Sequence, residues 1–112
     1  MDNSDNPALE LFEQVLDELQ LEHAEIAARR MFGMRSLAVR GKAFAGLSGE
    51  DMIFRLDAGS EAHAKAHALP GAKAFDPMGG RPMKAWVQVP LEQSEWWLDL
   101  AEEALRSRLA GH

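Results

Sequence analysis

Between residues 28 and 57 of this 112-residue chain, three glycines (Gly33, Gly41 and Gly49) sit at turn-like places and separate runs too short to be helices. Ser36 to Arg40 alternates in polarity, Gly41-Lys42 reverses the chain into Ala43 to Leu47, and Ser48-Gly49-Glu50 reverses it again into Met52 to Leu56. Short turns between alternating runs predict an antiparallel meander. In the last run Met52, Phe54 and Leu56 share one face, opposite Ile53, Arg55 and Asp57. The small residues Ala43, Ala45 and Gly46 predict that a helix crosses closely over the middle strand.

Helices flank this meander. Asn6 suits an N-cap and Pro7 the first helical position, where its missing N–H costs nothing. Leu9, Phe12, Val15, Leu16 and Leu19 then recur at helical spacing, with Glu10, Glu13, Asp17 and Glu18 on the other side. Residues 58–69 read as a second helix, ended by Leu69-Pro70-Gly71. A short strand is expected at Lys73-Ala74-Phe75 and a longer one over Lys84 to Val89. The longer strand places Ala85, Val87 and Val89 on one face and Lys84, Trp86 and Gln88 on the other. Ser94 is the expected N-cap of a last helix through Ala110, with Trp97, Leu100, Ala101, Ala104, Leu105 and Arg108 as its inner stripe, Trp96 at its flank and Gly111 ending it. The order α-β-β-β-α-β-β-α describes a two-layer α+β fold on an antiparallel sheet, one domain over residues 1–112.

Composition removes whole classes of chemistry. A single domain of this length buries roughly two thirds of its unfolded surface without a staple. The chain has no Cys, Tyr or Thr, which excludes disulfides, thiolate metal sites and Cys, Tyr or Thr nucleophiles. No apolar run approaches the ~20 residues of a membrane span, and the acidic start is unlike a signal peptide, so a cytoplasmic protein away from membranes is expected. The net charge of −6 is unevenly spread. Residues 1–25 hold eight acids and no Lys or Arg, residues 26–90 balance to +5, and residues 91–112 to −3. A basic middle between acidic ends either binds anions or pairs with its own flanks. The acidic whole argues against broad nucleic-acid binding.

The candidate chemistry concentrates in the loop from Phe75 to Lys84 and the strand after it. Gly79-Gly80-Arg81 lacks the order of a phosphate loop and no helix follows it directly. Arg81 and Lys84 straddle Pro82-Met83, and Lys84 shares a face with Trp86, residue types that anchor a partner or stack on bases when exposed. Arg30, with Arg29 beside it, extends the same cationic set. Trp86 is either open to a partner or covered by the chain, for instance by the loop. Asp76, before a proline, is expected to cap a turn through its side chain. His63 and His67 are four apart, a spacing that could grip a metal, but only Glu61 or a distant His23 offers a third ligand; solvent-facing histidines and no metal or cofactor are expected. Glu50-Asp51 and Glu102-Glu103 read as solvated charge, and no serine has a nucleophile setting.

Several of these segments together carry a resemblance. Arg30-Met31-Phe32-Gly33-Met34, Gly41 to Leu47, Phe75-Asp76-Pro77 and Arg81 to Pro90 resemble the N-terminal domain of the competence regulator TfoX/Sxy, to which many small bacterial proteins are similar. The resemblance implies an α+β fold of the secretion-chaperone-like type, with helices on one face of a five-stranded antiparallel sheet. It implies no established catalysis and carries over no catalytic residue. The full-length regulators also have a C-terminal domain, to which nothing in these residues corresponds. The expected function is a non-enzymatic binding or regulatory module whose Arg30, Arg81, Lys84 and Trp86 contact a protein partner or nucleic acid, with a homodimer allowed. The other class is a small-ligand binder or enzyme using a pocket between sheet and helices.

Overall fold

The structure, a computed structural model, describes residues 6–31, 33–77, 79–80 and 82–110. Its elements run α1 (Pro7–Glu22), β1 (Ala27–Met31), β2 (Met34–Val39), β3 (Lys42–Ser48), β4 (Asp51–Arg55), α2 (Glu61–His67), β5 (Lys73–Phe75), β6 (Met83–Val89) and α3 (Trp97–Leu109). The strands form one antiparallel sheet in the order β1-β2-β3-β4-β6-β5, so β1 and β5 are its edges. The sheet has six strands rather than about five, the addition being β1. Its sequence, Ala-Ala-Arg-Arg-Met, has no apolar alternation, and its pairing with β2 makes it a strand.

Local chemistry accounts for most boundaries. The Asn6 side chain accepts from Leu9 N at 3.1 Å, capping α1 with Pro7 behind it. Ser60 caps α2 through His63 N at 3.1 Å. Arg40 and Gly41 both have positive φ, 53° and 80°, matching the two-residue mirror-image turn that suits strand twist. The start of α3 departs from expectation. Residues Leu91–Trp96 form a 3-10 turn after Pro90, and α3 begins at Trp97 without a side-chain cap, so Ser94 is not the cap. The expected ending at Gly111 lies outside the described residues.

The main core lies between the helices and one sheet face. Phe12, Val15 and Leu19 of α1 meet Trp97, Leu100, Ala101, Ala104 and Leu105 of α3 over Leu37, Val39, Met52, Phe54, Val87 and Val89. A bulge shapes this face. Leu37 pairs with Ala45 but Ala38 with Ala43, leaving Phe44 as an extra residue, and Phe44 and Ala45 both join the helix-side core. The Arg108 side chain crosses from α3 to donate from Nε to the Ala43 carbonyl at 3.0 Å. Burial lowers the Arg108 pKa, with Arg55 adding to that and Asp57 opposing it. Asp57 itself accepts from Arg55 at 2.9 Å and Ser107 at 3.0 Å, tying the end of α3 to β4.

Only part of the small-residue expectation for β3 holds. Ala45 lies under the helices, but Gly46 and Ala43 face the other way. At Gly46 a Cβ would stand 3.1 Å from the Arg35 carbonyl oxygen and 3.4 Å from Ile53 Cγ1. Glycine is there because the Arg35 carbonyl, with Ile53 beside it, closes on this position, not because a helix does.

Candidate functional site

Trp86 faces away from the helices, as strand alternation requires, but it is only 6% exposed. It packs with Ile53 and Phe75 in a second cluster on the outer sheet face, flanked by Met34, Ala43 and Met83. Phe75 and Met83 bracket the loop that precedes β6, so the chain covers its own Trp. The loop is held from within: Asp76 Oδ1 accepts from Gly79 N at 2.8 Å and Gly80 N at 3.0 Å, the expected side-chain cap. Lys84 is exposed, and its carbonyl accepts a 2.8 Å hydrogen bond from His63 Nε2, which docks α2 on β6. Arg81 lies outside the described residues.

Arg30 is far from these groups. It sits on β1, four strand steps from β6, or about 19 Å at the usual strand spacing. It also lies on the other face. Arg30 is directly opposite Arg35, which shares the helix-side face with Leu37. The structure therefore pairs Lys84 with Trp86 along one strand and separates both from Arg30.

What gathers around Arg30 is a different set. The β1–β2 hairpin holds Arg29, Arg30 and Arg35 and no acidic residue, and all three are exposed. None of the three forms an ion pair with a described carboxylate, and Arg30 makes one long contact, 3.4 Å, to the Gly33 carbonyl. Arg30 and Arg35 face each other as like charges, an arrangement that costs about 0.2–1 kcal/mol unless an anion relieves it. Arg29, opposite Ser36, projects toward the outer face. Next to the helix-side pair an open groove of about 260 Å3 runs between α1 and the hairpin. Phe12, Leu16 and Ala28 supply its apolar lining and Glu13, Arg30 and Arg35 its charged rim, while Arg29, set toward the other face by strand alternation, borders it at the sheet edge. Arg35 went unnoticed in the sequence because its significance depends on register: only the Met31–Met34 closure sets it across from Arg30.

Two other features lie away from the hairpin. A cleft of about 500 Å3 between α2 and α3 is lined by Ala62, Leu69, Trp96 and Leu100. Its charged rim, Lys65, Asp99, Glu102, Glu103 and Arg106, is exposed, and Arg106 already reaches Glu103 at 3.4 Å. Among the described residues Ser36 is the one buried polar side chain, so no buried carboxylate or histidine faces that cleft. The His63 and His67 rings lie with centroids 4.6 Å apart and planes tilted by 57°, and no group of three metal-ligating side chains occurs among the described residues. Burial first, then the His63 charge, holds His67 below its ordinary value. No described helix is long and apolar enough to cross a membrane.

Comparison with known proteins gives one result. The sequence model of the TfoX N-terminal domain matches residues 17–107, from the middle of α1 almost to the end of α3. No curated protein and no solved structure matches the chain.

Proposed function

Because the chain belongs to the TfoX N-terminal domain family, whose members are generally regulatory rather than catalytic, we propose that it is a non-enzymatic binding module that engages an acidic segment of a protein partner through the arginine hairpin. The observation that carries this reading is the set of guanidinium groups on β1 and β2 that have no ion pair among the described residues, in a protein of net charge −6. A protein that keeps like charges opposite each other on a sheet surface retains an unspent attraction for an anion.

The neighbourhood favours a protein segment over nucleic acid. Exposed aromatic platforms are what hold single strands, and Trp86 is buried. A duplex is broad and uniformly anionic, and the hairpin stands beside α1 with Glu10, Glu13, Asp17 and Glu18 on its polar side. Those carboxylates would repel phosphates flanking the few that the arginines neutralise. A short acidic segment spans only the arginines and the one carboxylate that lines the groove, Glu13, and the apolar part of the groove offers it a side-chain contact.

The test is fluorescence anisotropy with a labelled Glu-rich peptide and a labelled DNA duplex, each titrated with the protein at two salt concentrations. The proposal expects the peptide to bind and the duplex to bind more weakly at both. Preferential binding of the duplex with a steep salt dependence, or no binding of the peptide, would contradict it.

A further inference from the structure

β1 has a neighbour on one side only. Its outer edge presents alternate backbone N–H and C=O groups, and among the described residues no backbone hydrogen bond outside the sheet ladder involves residues 27–31. All of Ala27 to Arg30 are exposed. An open strand edge is a template for another strand, and charged side chains along it decide which strand is admitted.

We infer that the partner's acidic segment docks by strand addition to β1, as a further antiparallel or parallel strand bearing two consecutive acidic residues next to an apolar one. This rests on the reading that the hairpin takes an acidic protein segment and deepens it to a binding mode and a motif. Register supplies the motif. Successive residues of an added strand alternate between the two faces of the sheet. The residue opposite Arg30 falls on the helix side, where Arg30 and Arg35 already face each other. Its neighbour, opposite Arg29, falls on the outer face. The next residue, opposite Ala28, returns to the helix side over the groove lined by Phe12 and Leu16. An acid–acid–apolar triplet, or its reverse in the parallel orientation, therefore matches charge to charge on both faces and places an aliphatic side chain over the groove.

The same arginines disfavour a second copy at this edge. Antiparallel pairing of two β1 strands about their middle residue would set Arg29 against Arg29. Like charges directly opposite each other disfavour such a pair. The arginines thus guard the edge against self-association while leaving it open to an acidic strand. A guard with no other role would leave the acidic strand unbound, which separates the two ideas.

The experiment uses a fluorescein-labelled peptide built on Val-Glu-Glu-Val, its Val-Lys-Lys-Val counterpart, and two versions of the acidic peptide N-methylated on one or the other alternate set of backbone amides. Anisotropy gives affinities, and hydrogen exchange by NMR follows the β1 amides. The expected result is binding of the acidic peptide but not the basic one, with Arg30→Glu weakening it about tenfold. One N-methylated version should lose binding while the other keeps it, since only one set of amides faces β1, and the outward β1 amides should become protected. Equal binding of both methylated versions with β1 amides unprotected would overturn strand addition. If Arg30→Glu still weakened the peptide in that case, the acidic-segment reading would survive. No binding of the acidic peptide would sink both.

Discussion

Gly46 and Arg108 show how single residues fix the sheet that carries the hairpin. A methyl group at Gly46 meets a backbone oxygen that cannot yield and an Ile53 side chain that is itself fully buried. Gly46→Ala is therefore expected to destabilise the protein by about 1–3 kcal/mol, read as a lower urea midpoint at unchanged slope. Arg108 acts from the other side, giving the bulged strand's Ala43 carbonyl a donor. Arg108→Ala leaves that acceptor to water and should cost about 1–3 kcal/mol. Arg108→Lys should recover only part, because a lysine lacks the Nε–H that makes the bond. Equal stability of wild type and Arg108→Ala in denaturant titration would remove this bond from the account.

At the scale of elements, the stability of α2 carries a pH signature. His67 is held below its ordinary imidazole value of 6.5 by burial and then by His63, so the unfolded chain binds the proton more tightly than the folded one. Its contribution is complete above pH 6.5 and is lost as the pH falls through 6.5 toward the lowered folded value. His67→Gln should flatten the fall in unfolding free energy between about pH 7 and about pH 5. Parallel curves for the two proteins would assign the pH dependence elsewhere.

The elements also separate what periodicity reveals from what it hides. The α1 cap, the β4 faces, the Lys73–Phe75 strand and the Asp76 turn follow from residue types within a few positions of each other, and all are present. β1 was hidden because Ala-Ala-Arg-Arg has no alternation, and its strand character comes from β2, a hairpin away. For Trp86 the alternation gave the face correctly, but a period of two cannot say that Phe75 and Met83 cover that face. Of the cationic set, Arg30 was legible as exposed charge, whereas its opposition to Arg35 and its distance from Lys84 are properties of register and strand order.

For the whole molecule, the organising fact is segregation of charge on a rigid two-layer frame. The acidic residues of the N-terminal sequence continue along α1, while the hairpin at the β1 edge collects arginines without carboxylate partners among the described residues. Such a layout steers a charged partner to one place and orients it on arrival. Strengthening salt should therefore weaken a hairpin ligand mainly through its association rate, while α1 and α3 packing, being apolar, changes little. Faster dissociation with an unchanged on-rate as salt rises would be inconsistent with steering.

The account as a whole turns on whether the hairpin arginines select for negative charge. The direct measurement is a charge swap: anisotropy titrations of the Val-Glu-Glu-Val and Val-Lys-Lys-Val peptides against wild type and an Arg29→Glu/Arg30→Glu/Arg35→Glu variant, with circular dichroism confirming that both proteins are folded. The predicted result is an exchange of preference, the wild type binding the acidic peptide and the variant losing it by at least about tenfold while gaining the basic one. An acidic peptide that binds both proteins equally well would contradict the assignment of the hairpin as the recognition surface.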